Sequence, residues 1–257
     1  MVFRLCLCVV LLAACGYANI SGDYCQVLDN YDSFKTSMDN FLASRDETCG
    51  DTYTRCDCRS ILKEFPEAED GVYRIKPTDG KRSFLAYCDM TGGGWLVFQR
   101  RLDGSEDFYR TWFEYMDGFG NLTQEFWLGN EKIHRLTKQK TNELRMDLVN
   151  NTGSHFYAEY NSFHLGSMSE FYTLFIGHYS GTAGDQMLYH NNSRFSAKNL
   201  DMDTHPTQSI NCAAYHTGTW WYKACMHSGL NRLYSKTPYW SGLTGVKTTS
   251  MKIRPLN

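Results

Sequence analysis

The chain after Cys58 is a succession of short apolar and aromatic runs separated by Gly, Asn, Asp and Ser. Runs of this length, bounded by turn-forming residues, are typical of strands in a largely antiparallel sheet. The predicted strands are GVYRI, SFLAYCDM, WLVFQRR and FYTLFIGHY, and the predicted helices are NEKIHRLTKQ and the segment around RTWFEYMDGF. The pattern predicts an α+β domain with a mixed, mostly antiparallel sheet, few short helices and long loops.

The first 18 residues have the features of a secretory signal peptide. Arg4 precedes an apolar run from Leu5 to Cys15, and Gly16-Tyr17-Ala18 supplies the small residues of a cleavage site. The run is shorter than the roughly 20 apolar residues that span a bilayer, and no second run of this kind follows. We therefore expect a secreted, extracellular protein without a membrane span; an anchor or a buried helix is the alternative.

Signal cleavage changes the number of cysteines that can pair. Seven remain, namely Cys25, Cys49, Cys56, Cys58, Cys88, Cys212 and Cys225. In an oxidising compartment most of them should form disulfides, and because seven is odd, at least one is free or joins another chain. Four Asn-x-Ser/Thr sequons predict glycosylated surface loops at Asn19, Asn121, Asn150 and Asn191.

Residues 19–55 are predicted to form a helical oligomerisation segment. An apolar seam with 4-3-4-3 spacing consists of Val27, Tyr31, Phe34, Met38 and Phe41. Such a short helix is marginal in water unless the seam is buried. We favour a coiled coil stapled between chains, hence a disulfide-linked homo-oligomer. A helix packed on its own domain is the alternative, and the pairing of Cys25, Cys49 and Cys56 stays open.

Composition and motifs argue against several classes of function. Lys and Arg total 26 against 28 Asp and Glu, and no basic stripe predicts a nucleic-acid partner. The sequence contains no H-E-x-x-H, G-x-S-x-G or phosphate-loop motif. The GGGW at residues 92–95 lacks the Lys of a phosphate loop and predicts a tight backbone turn. We expect a protein that is not an enzyme; a hydrolase site assembled from distant residues is the remaining catalytic alternative.

The stretch NLDMDTHPTQSINC places two carboxylates, Asp201 and Asp203, in one irregular polar loop. Calcium takes about 6–8 oxygen ligands and combines carboxylates with backbone carbonyls. The spacing alone favours the alternative of two solvated turn residues. A disulfide between Cys212 and Cys225 would hold this loop against the cluster Trp220-Trp221-Tyr222. That cluster is either the wall of a small-ligand cleft or hydrophobic core, and we expect core for at least one tryptophan.

Several motifs occur in the order found in one family. They are YCDMTGGGWLVFQRRLDGSEDFYRTW, GFGNLTQEFWLGNEKIHRLT, ELRMDL, HYSGTAGD, FSAKNLDMD, NCAAYHTGTWWYKAC and MKIRP. From about Cys56 to Pro255 the sequence resembles a fibrinogen C-terminal domain. The layout is similar to secreted lectins of the ficolin and tachylectin type, without a collagen stalk. The expected organisation is a signal peptide at 1–18, the helical segment at 19–55 and this domain at 56–257.

The resemblance implies two disulfides and a metal site. The disulfides are equivalent to Cys58–Cys88 and Cys212–Cys225. The metal is Ca²⁺, bound by the side chains of Asp201 and Asp203 and, by count, by the carbonyls of His205 and Thr207. The stretch TQSI makes this loop about three residues longer than is usual in the family.

The resemblance also implies a pocket for an acetyl group beside the calcium loop. In the family the pocket uses an aromatic residue, a non-proline cis peptide and a following His. The corresponding positions here, with the nearest candidates from the carboxyl-terminal segment, are His216, the Ala224–Cys225 bond, Met226, Tyr239 and Trp240. Met226 stands where the family usually has His, and His227 is the alternative one position later.

Two functions follow from the resemblance. One is a calcium-dependent lectin or pattern-recognition protein that binds acetylated sugars on glycans or microbial surfaces. The other is a protein-interaction ligand of growth-factor, matrix or coagulation type, with a structural calcium site and no sugar binding. The lectin is the leading hypothesis, and the change at Met226 and the short carboxyl-terminal segment are the features that favour the second.

Overall fold

A computed structural model describes residues 55–207 and 209–256 of the protein. Four α-helices lie in this part: α1 Cys58–Glu64, α2 Trp112–Asp117, α3 Asn130–Gln139 and α4 Cys212–Tyr215. The first six strands are β1 Gly71–Ile75, β2 Phe84–Asp89, β3 Trp95–Arg101, β4 Phe119–Gly120, β5 Phe126–Trp127 and β6 Asn142–Asn150. The next six are β7 His155–Leu165, β8 Leu174–Ile176, β9 Tyr179–Gly181, β10 Ser228–Gly229, β11 Tyr239–Trp240 and β12 Val246–Pro255.

Several predictions concern residues outside the described part of the protein. They are the signal peptide, the helical seam of residues 19–55, the cysteines Cys25 and Cys49, and the Asn19 sequon. Within the described residues, no helix has the length and apolar character that crossing a bilayer requires.

Ten strands form one sheet, whose main path is β1-β2-β3-β12-β6-β7-β8. Strand β5 pairs with β3 and β4, β9 pairs with β7, and β10 and β11 form a separate ribbon. All pairings among these strands are antiparallel. The predicted α+β class with a mostly antiparallel sheet is confirmed.

The local predictions of strands and helices agree closely with the structure. GVYRI and WLVFQRR coincide with β1 and β3, and NEKIHRLTKQ coincides with α3. Helix α2 begins after a capping box in which the Thr111 hydroxyl accepts from the Glu114 N–H and the Glu114 carboxylate accepts from the Thr111 N–H. FYTLFIGHY contains two strands, β8 and the start of β9, because Gly177 and His178 interrupt the run.

The GGGW sequence forms the predicted tight turn, between β2 and β3. Gly93 and Gly94 have φ angles of 100° and 76°, in the left-handed region that favours glycine. A Cβ at Gly94 would lie 2.8 Å from the Arg59 Cα. The close approach packs α1 against this turn, where the Cys58–Cys88 disulfide joins α1 to β2.

Trp220, Trp221 and Tyr222 are all completely buried. Trp221 packs on Trp127 with ring centroids 6.2 Å apart, and its Nε1 donates to the Tyr172 carbonyl at 2.9 Å. The core alternative for this cluster is therefore correct, and the idea that it lines a surface cleft is wrong. Aromatic side chains of this size contribute most when they are removed from water.

Candidate functional site

Hydrogen bonds hold the loop that contains Asp201 and Asp203 against the neighbouring segments at Cys212 and Lys223. The Asp203 Oδ1 accepts the His205 N–H at 2.8 Å, and its Oδ2 accepts the Cys212 N–H at 2.8 Å. The Asp201 Oδ1 accepts the Asp203 N–H at 3.2 Å. The Thr204 N–H donates to the Lys223 carbonyl at 3.0 Å. We call residues 201–207 the aspartate loop.

The electrostatics of the aspartate loop suit a hard cation. Partial burial, together with the neighbouring Asp203 carboxylate, raises the pKa of Asp201. No cluster of three or more His, Cys, Asp or Glu side chains exists among the described residues, so further ligands there would be carbonyls and water. The His205 Nδ1 accepts the Thr207 N–H at 3.1 Å, which folds the two predicted carbonyl donors into one turn. Oxygen donors of this kind fit Ca²⁺.

The disulfide Cys212–Cys225 closes a loop beside the aspartate loop, with a sequence separation of 13 residues. Helix α4 starts at Cys212, and its cap residue Asn211 accepts the Ala214 N–H. Cys56 is also disulfide-bonded. Because Asp203 accepts from the first residue of α4, the aspartate loop and the disulfide loop form one connected unit.

His216, Met226 and Tyr239 are brought together around Arg232. The Arg232 Nε donates to the His216 carbonyl at 3.1 Å, and the guanidinium lies 6.0 Å from the Tyr239 ring centroid. Gly229 pairs with Tyr239, and a Cβ on Gly229 would lie 2.8 Å from the Met226 Sδ. We call His216, Met226, Arg232 and Tyr239 the Arg232 cluster. All four side chains are partly exposed.

Burial, followed by the charge of Arg232, lowers the pKa of His216. The His216 ring stacks on Tyr222 with centroids 6.1 Å apart. A neutral imidazole beside a guanidinium and the Met226 thioether gives a small surface that is partly apolar and has hydrogen-bond donors. Such a mixture of groups suits a compact polar ligand with an apolar end. Sequence reasoning missed Arg232 because no local pattern marks it.

The cis peptide implied before Cys225 is absent, since every peptide bond in the described residues is trans. Cys225 instead has a φ of 63°. The Lys223 N–H donates to the Cys225 carbonyl at 3.1 Å, which closes a tight turn through Ala224. This turn places Cys225 in the left-handed region, and the predicted role of the Ala224–Cys225 bond is corrected accordingly. Ala224 itself is exposed.

The assignment of Trp240 to the pocket wall is wrong. Its side chain is completely buried, and its Nε1 donates to the Ala183 carbonyl at 2.9 Å. The physical reason is the register of the ribbon, in which Trp240 pairs with Ser228 and Tyr239 pairs with Gly229. Successive side chains of a strand point to opposite faces, so Trp240 enters the core while Tyr239 faces outward.

His190 is a buried residue that the sequence did not reveal. Its Nδ1 lies 2.7 Å from the Trp221 carbonyl, and its Nε2 accepts the N–H groups of His227 and Ser228 at 3.2 and 3.0 Å. An Nε2 that accepts two hydrogen bonds carries no proton, so the neutral Nδ1–H form is fixed. Burial lowers the pKa of His190 to about 4. The exposed His227 ring stacks on Tyr189, with centroids 3.9 Å apart.

Two buried polar residues of β3 hold the segment that carries Arg232. The Arg101 Nη1 donates to the carbonyls of Leu230 and Arg232 at 3.0 and 2.8 Å. The Gln99 Nε2 donates to the Asn231 Oδ1 at 3.1 Å. The central sheet therefore fixes the backbone beneath the Arg232 cluster.

Three sequons lie among the described residues. Asn121 is exposed, whereas Asn150 and Asn191 are partly buried. The Asn150 Oδ1 accepts the Thr152 N–H at 3.0 Å, and the Asn191 Oδ1 accepts the Ile176 N–H at 3.1 Å. Asn191 also lines a cleft of about 460 Å³ together with Arg194, Asp203 and Lys223. A glycan on Asn191 would lie next to the aspartate loop.

Residues 54–256 match the family model described as fibrinogen beta and gamma chains, C-terminal globular domain. Fibrinogen-like protein A of Apostichopus parvimensis is 48% identical over 214 residues, which cover 77% of this chain and 74% of that protein. Fibrinogen C domain-containing protein 1 of Homo sapiens is 42% identical over 232 residues, 83% of this chain and 50% of that protein. The match thus spans about half the length of this human relative.

Solved structures share the fold. The fibrinogen-like globe domain of human ANGPTL2 has a TM-score of 0.73 and 38% identity, covering 78% of this chain and 98% of that chain. A lamprey fibrin D-dimer complexed with the peptide ligand Gly-His-Arg-Pro-amide has a TM-score of 0.72 and 28% identity. The match covers 99% of this chain and 94% of the lamprey chain.

Proposed function

Because the protein belongs to the family of fibrinogen C-terminal globular domains, of the beta and gamma type, we propose that it is a secreted binding protein and not an enzyme. Its ligand would be an acetylated sugar on glycans or microbial surfaces. In this proposal Asp201 and Asp203 hold Ca²⁺, and the Arg232 cluster contacts the ligand.

The observation that carries the proposal is the bond from the Cys212 N–H to the Asp203 carboxylate. It joins the oxygen-rich aspartate loop to the disulfide loop that presents His216 and Met226. A cation bound by Asp201 and Asp203 would remove the repulsion between their carboxylates and fix the aspartate loop. An ordered aspartate loop would in turn position the start of α4 and the partly exposed residues that follow it.

The chemistry of the Arg232 cluster is suitable for an acetamido group. The Arg232 guanidinium uses Nε for the His216 carbonyl, which leaves its Nη groups to donate to an acetyl oxygen. The Met226 thioether and the Tyr239 ring offer apolar surface for the methyl group. A shallow single site of this type binds weakly, so an oligomer assembled through residues 19–55 would gain by avidity.

Specific observations favour a protein-interaction role as the second candidate. Trp240 is withdrawn into the core, the Ala224–Cys225 bond is trans, and Met226 stands in place of a histidine. The similar lamprey fibrin is complexed with the peptide Gly-His-Arg-Pro-amide. The same aspartate loop would then support a surface for a peptide segment of another protein.

Retention on immobilised N-acetylglucosamine in the presence of calcium tests the proposal. We expect release both by chelator and by free N-acetylglucosamine, and loss of retention in the His216→Ala variant. His155→Ala is a matched control, because His155 is an exposed histidine of β7 and lies outside the Arg232 cluster. Flow-through of a protein that still binds calcium would contradict sugar binding. Binding of a labelled peptide probe that free N-acetylglucosamine does not displace would favour the second candidate.

A further inference from the structure

A second large cleft among the described residues lies away from the aspartate loop. Its volume is about 510 Å³, and it is lined by α1, by the turn that follows α3 and by the end of β12. Three of its lining side chains are cationic: Arg59, Lys63 and Lys140. We call it the basic cleft. The Ser60 and Thr141 side chains add hydroxyl groups to its wall.

The charges of the basic cleft are not balanced. Among the described residues, Asp57 is the one carboxylate that lines it. Its Oδ1 accepts the Ser60 N–H at 2.7 Å, and its Oδ2 lies 3.0 Å from the Lys140 Nζ. Within the described residues the Lys63 ammonium has neither a hydrogen bond nor an ion pair. Asp57 neutralises the charge of Lys140, so the positive charges of Arg59 and Lys63 remain without a carboxylate partner among the described residues.

Within the described residues, Arg59 and Lys63 of the basic cleft form no ion pair. Several other cations pair with carboxylates; Arg135 contacts Asp79 at 2.6 Å, and Arg254 contacts Glu143 at 2.7 Å. Arg59 also lies in the first turn of α1, where the helix dipole disfavours a cation. Arg59 and Lys63 are four residues apart, so two like charges share one face of the helix. Lys63 lies in the last turn, where the dipole favours a cation, so only the position of Arg59 is not explained by the stability of α1.

The donor geometry suits a tetrahedral anion. The Arg59 Nη1 donates to the Pro255 carbonyl at 2.7 Å, which orients the guanidinium and leaves Nε and Nη2 for a ligand. A guanidinium edge binds two oxygens of one sulfate at once, and Lys63 supplies a mobile ammonium beside it. A cleft of about 510 Å³ is within the range of small-ligand sites, which extends from about 300 to 1,000 Å³.

We propose that the basic cleft, through Arg59, Lys63 and Lys140, binds sulfate groups of a sulfated polysaccharide. A polysaccharide is favoured over an isolated anion because the cations come from separate elements and span the cleft. The site shares no residue with the aspartate loop or the Arg232 cluster. Binding should accordingly be independent of calcium.

The test uses a heparin-derived hexasaccharide as the probe and the full-length protein, with chelator present throughout. Calorimetry at 50 mM NaCl should detect binding that weakens strongly at 300 mM, because salt screens exposed charges. The Lys63→Gln/Lys140→Gln variant should raise the dissociation constant at least tenfold. Lys63→Gln alone should raise it about threefold without changing the melting temperature.

The matched control is Lys236→Gln/Lys247→Gln, which removes two exposed lysine charges elsewhere. It should bind like the wild type, and a desulfated hexasaccharide should not bind. Equal weakening by both double variants would reduce the effect to net charge and overturn the proposal. Loss of binding in Asp201→Asn, or preference for phosphatidylserine vesicles over the sulfated probe, would overturn it as well.

Discussion

The Asp203 carboxylate accepts the backbone N–H of Cys212 at 2.8 Å and so connects the aspartate loop to the disulfide loop. The two residues are nine positions apart, and the bond bridges the polar segment between them. Any change in the charge or position of Asp203 is therefore transmitted to the first turn of α4.

Asp203→Asn should abolish the stabilisation of the fold by calcium. At a calcium concentration 100 times Kd, binding adds about 2.7 kcal/mol to the free energy of unfolding of the wild type. Asparagine lacks the negative charge, and an amide cannot accept at both of its positions. Thermal unfolding with calcium and with chelator measures the difference. Glu67→Gln, which removes the same charge from an exposed side chain, should keep the full calcium effect; an equal gain in Asp203→Asn would exclude the site.

His190 should make the fold less stable in weak acid. Its pKa falls from 6.5 to about 4 on folding, so the unfolded state binds the extra proton between these values. The contribution is complete above pH 6.5 and is lost as the pH falls toward 4. The difference corresponds to about 3 kcal/mol.

Urea unfolding at pH 7 and pH 4.5 measures this effect. His190→Gln should be less stable at pH 7 and should show a smaller loss of stability on acidification than the wild type. The exposed His155, replaced by Gln, serves as the control. If His190→Gln and His155→Gln lose the same stability on acidification as the wild type, the linkage to His190 is wrong.

Arg101→Met should destabilise the protein by about 3–5 kcal/mol, because it leaves Glu125 buried without its cation. The Arg101 Nε lies 3.8 Å from the Glu125 Oε1, and both side chains are completely buried. The loss of its bonds to Leu230 and Arg232 should also weaken ligand retention.

The exposed ion pair Lys81–Glu131 gives a control for this measurement. Lys81→Met should cost less than about 1 kcal/mol, since water screens such pairs. Urea unfolding of both variants measures the two losses of stability. Similar losses in the two would mean that burial of the Arg101–Glu125 pair carries no special weight.

Tyr239→Ala and Trp240→Ala should separate ligand binding from stability. Trp240→Ala removes a completely buried side chain and should cost about 3–5 kcal/mol. Tyr239→Ala should leave the melting temperature within a few degrees and reduce retention on N-acetylglucosamine. Retention and thermal unfolding are measured on the same preparations. A stable Trp240→Ala variant that loses binding would restore Trp240 to the site.

Local sequence patterns were sufficient for much of the fold. Helix α3 and strands β1 and β3 were predicted at their observed bounds, because apolar spacing and turn residues are properties of neighbouring positions. FYTLFIGHY was predicted as one strand, and Gly177 with His178 divides it. The resemblance supplied the positions of both described disulfides and of the aspartate pair.

The rest depends on contacts between distant residues. Trp240 points inward because of its register with Ser228, which no pattern within YW reveals. His190 bonds to residues more than 30 positions away, and Arg101 to residues about 130 positions away. Such partners are set by the assembled sheet and not by local periodicity. Arg232 acquires its role in the same way, through the backbone that Arg101 holds.

The central place of β12 affects how the domain is made in the cell. Strands β3 and β6 do not pair with each other within the described sheet, and β12 pairs with both. Until β12 has been synthesised, β3 and β6 therefore each have one unpaired edge. A nascent polypeptide stalled before Val246 would offer two unpaired edges to neighbouring molecules. Pairing of β12 with both strands removes these two edges together.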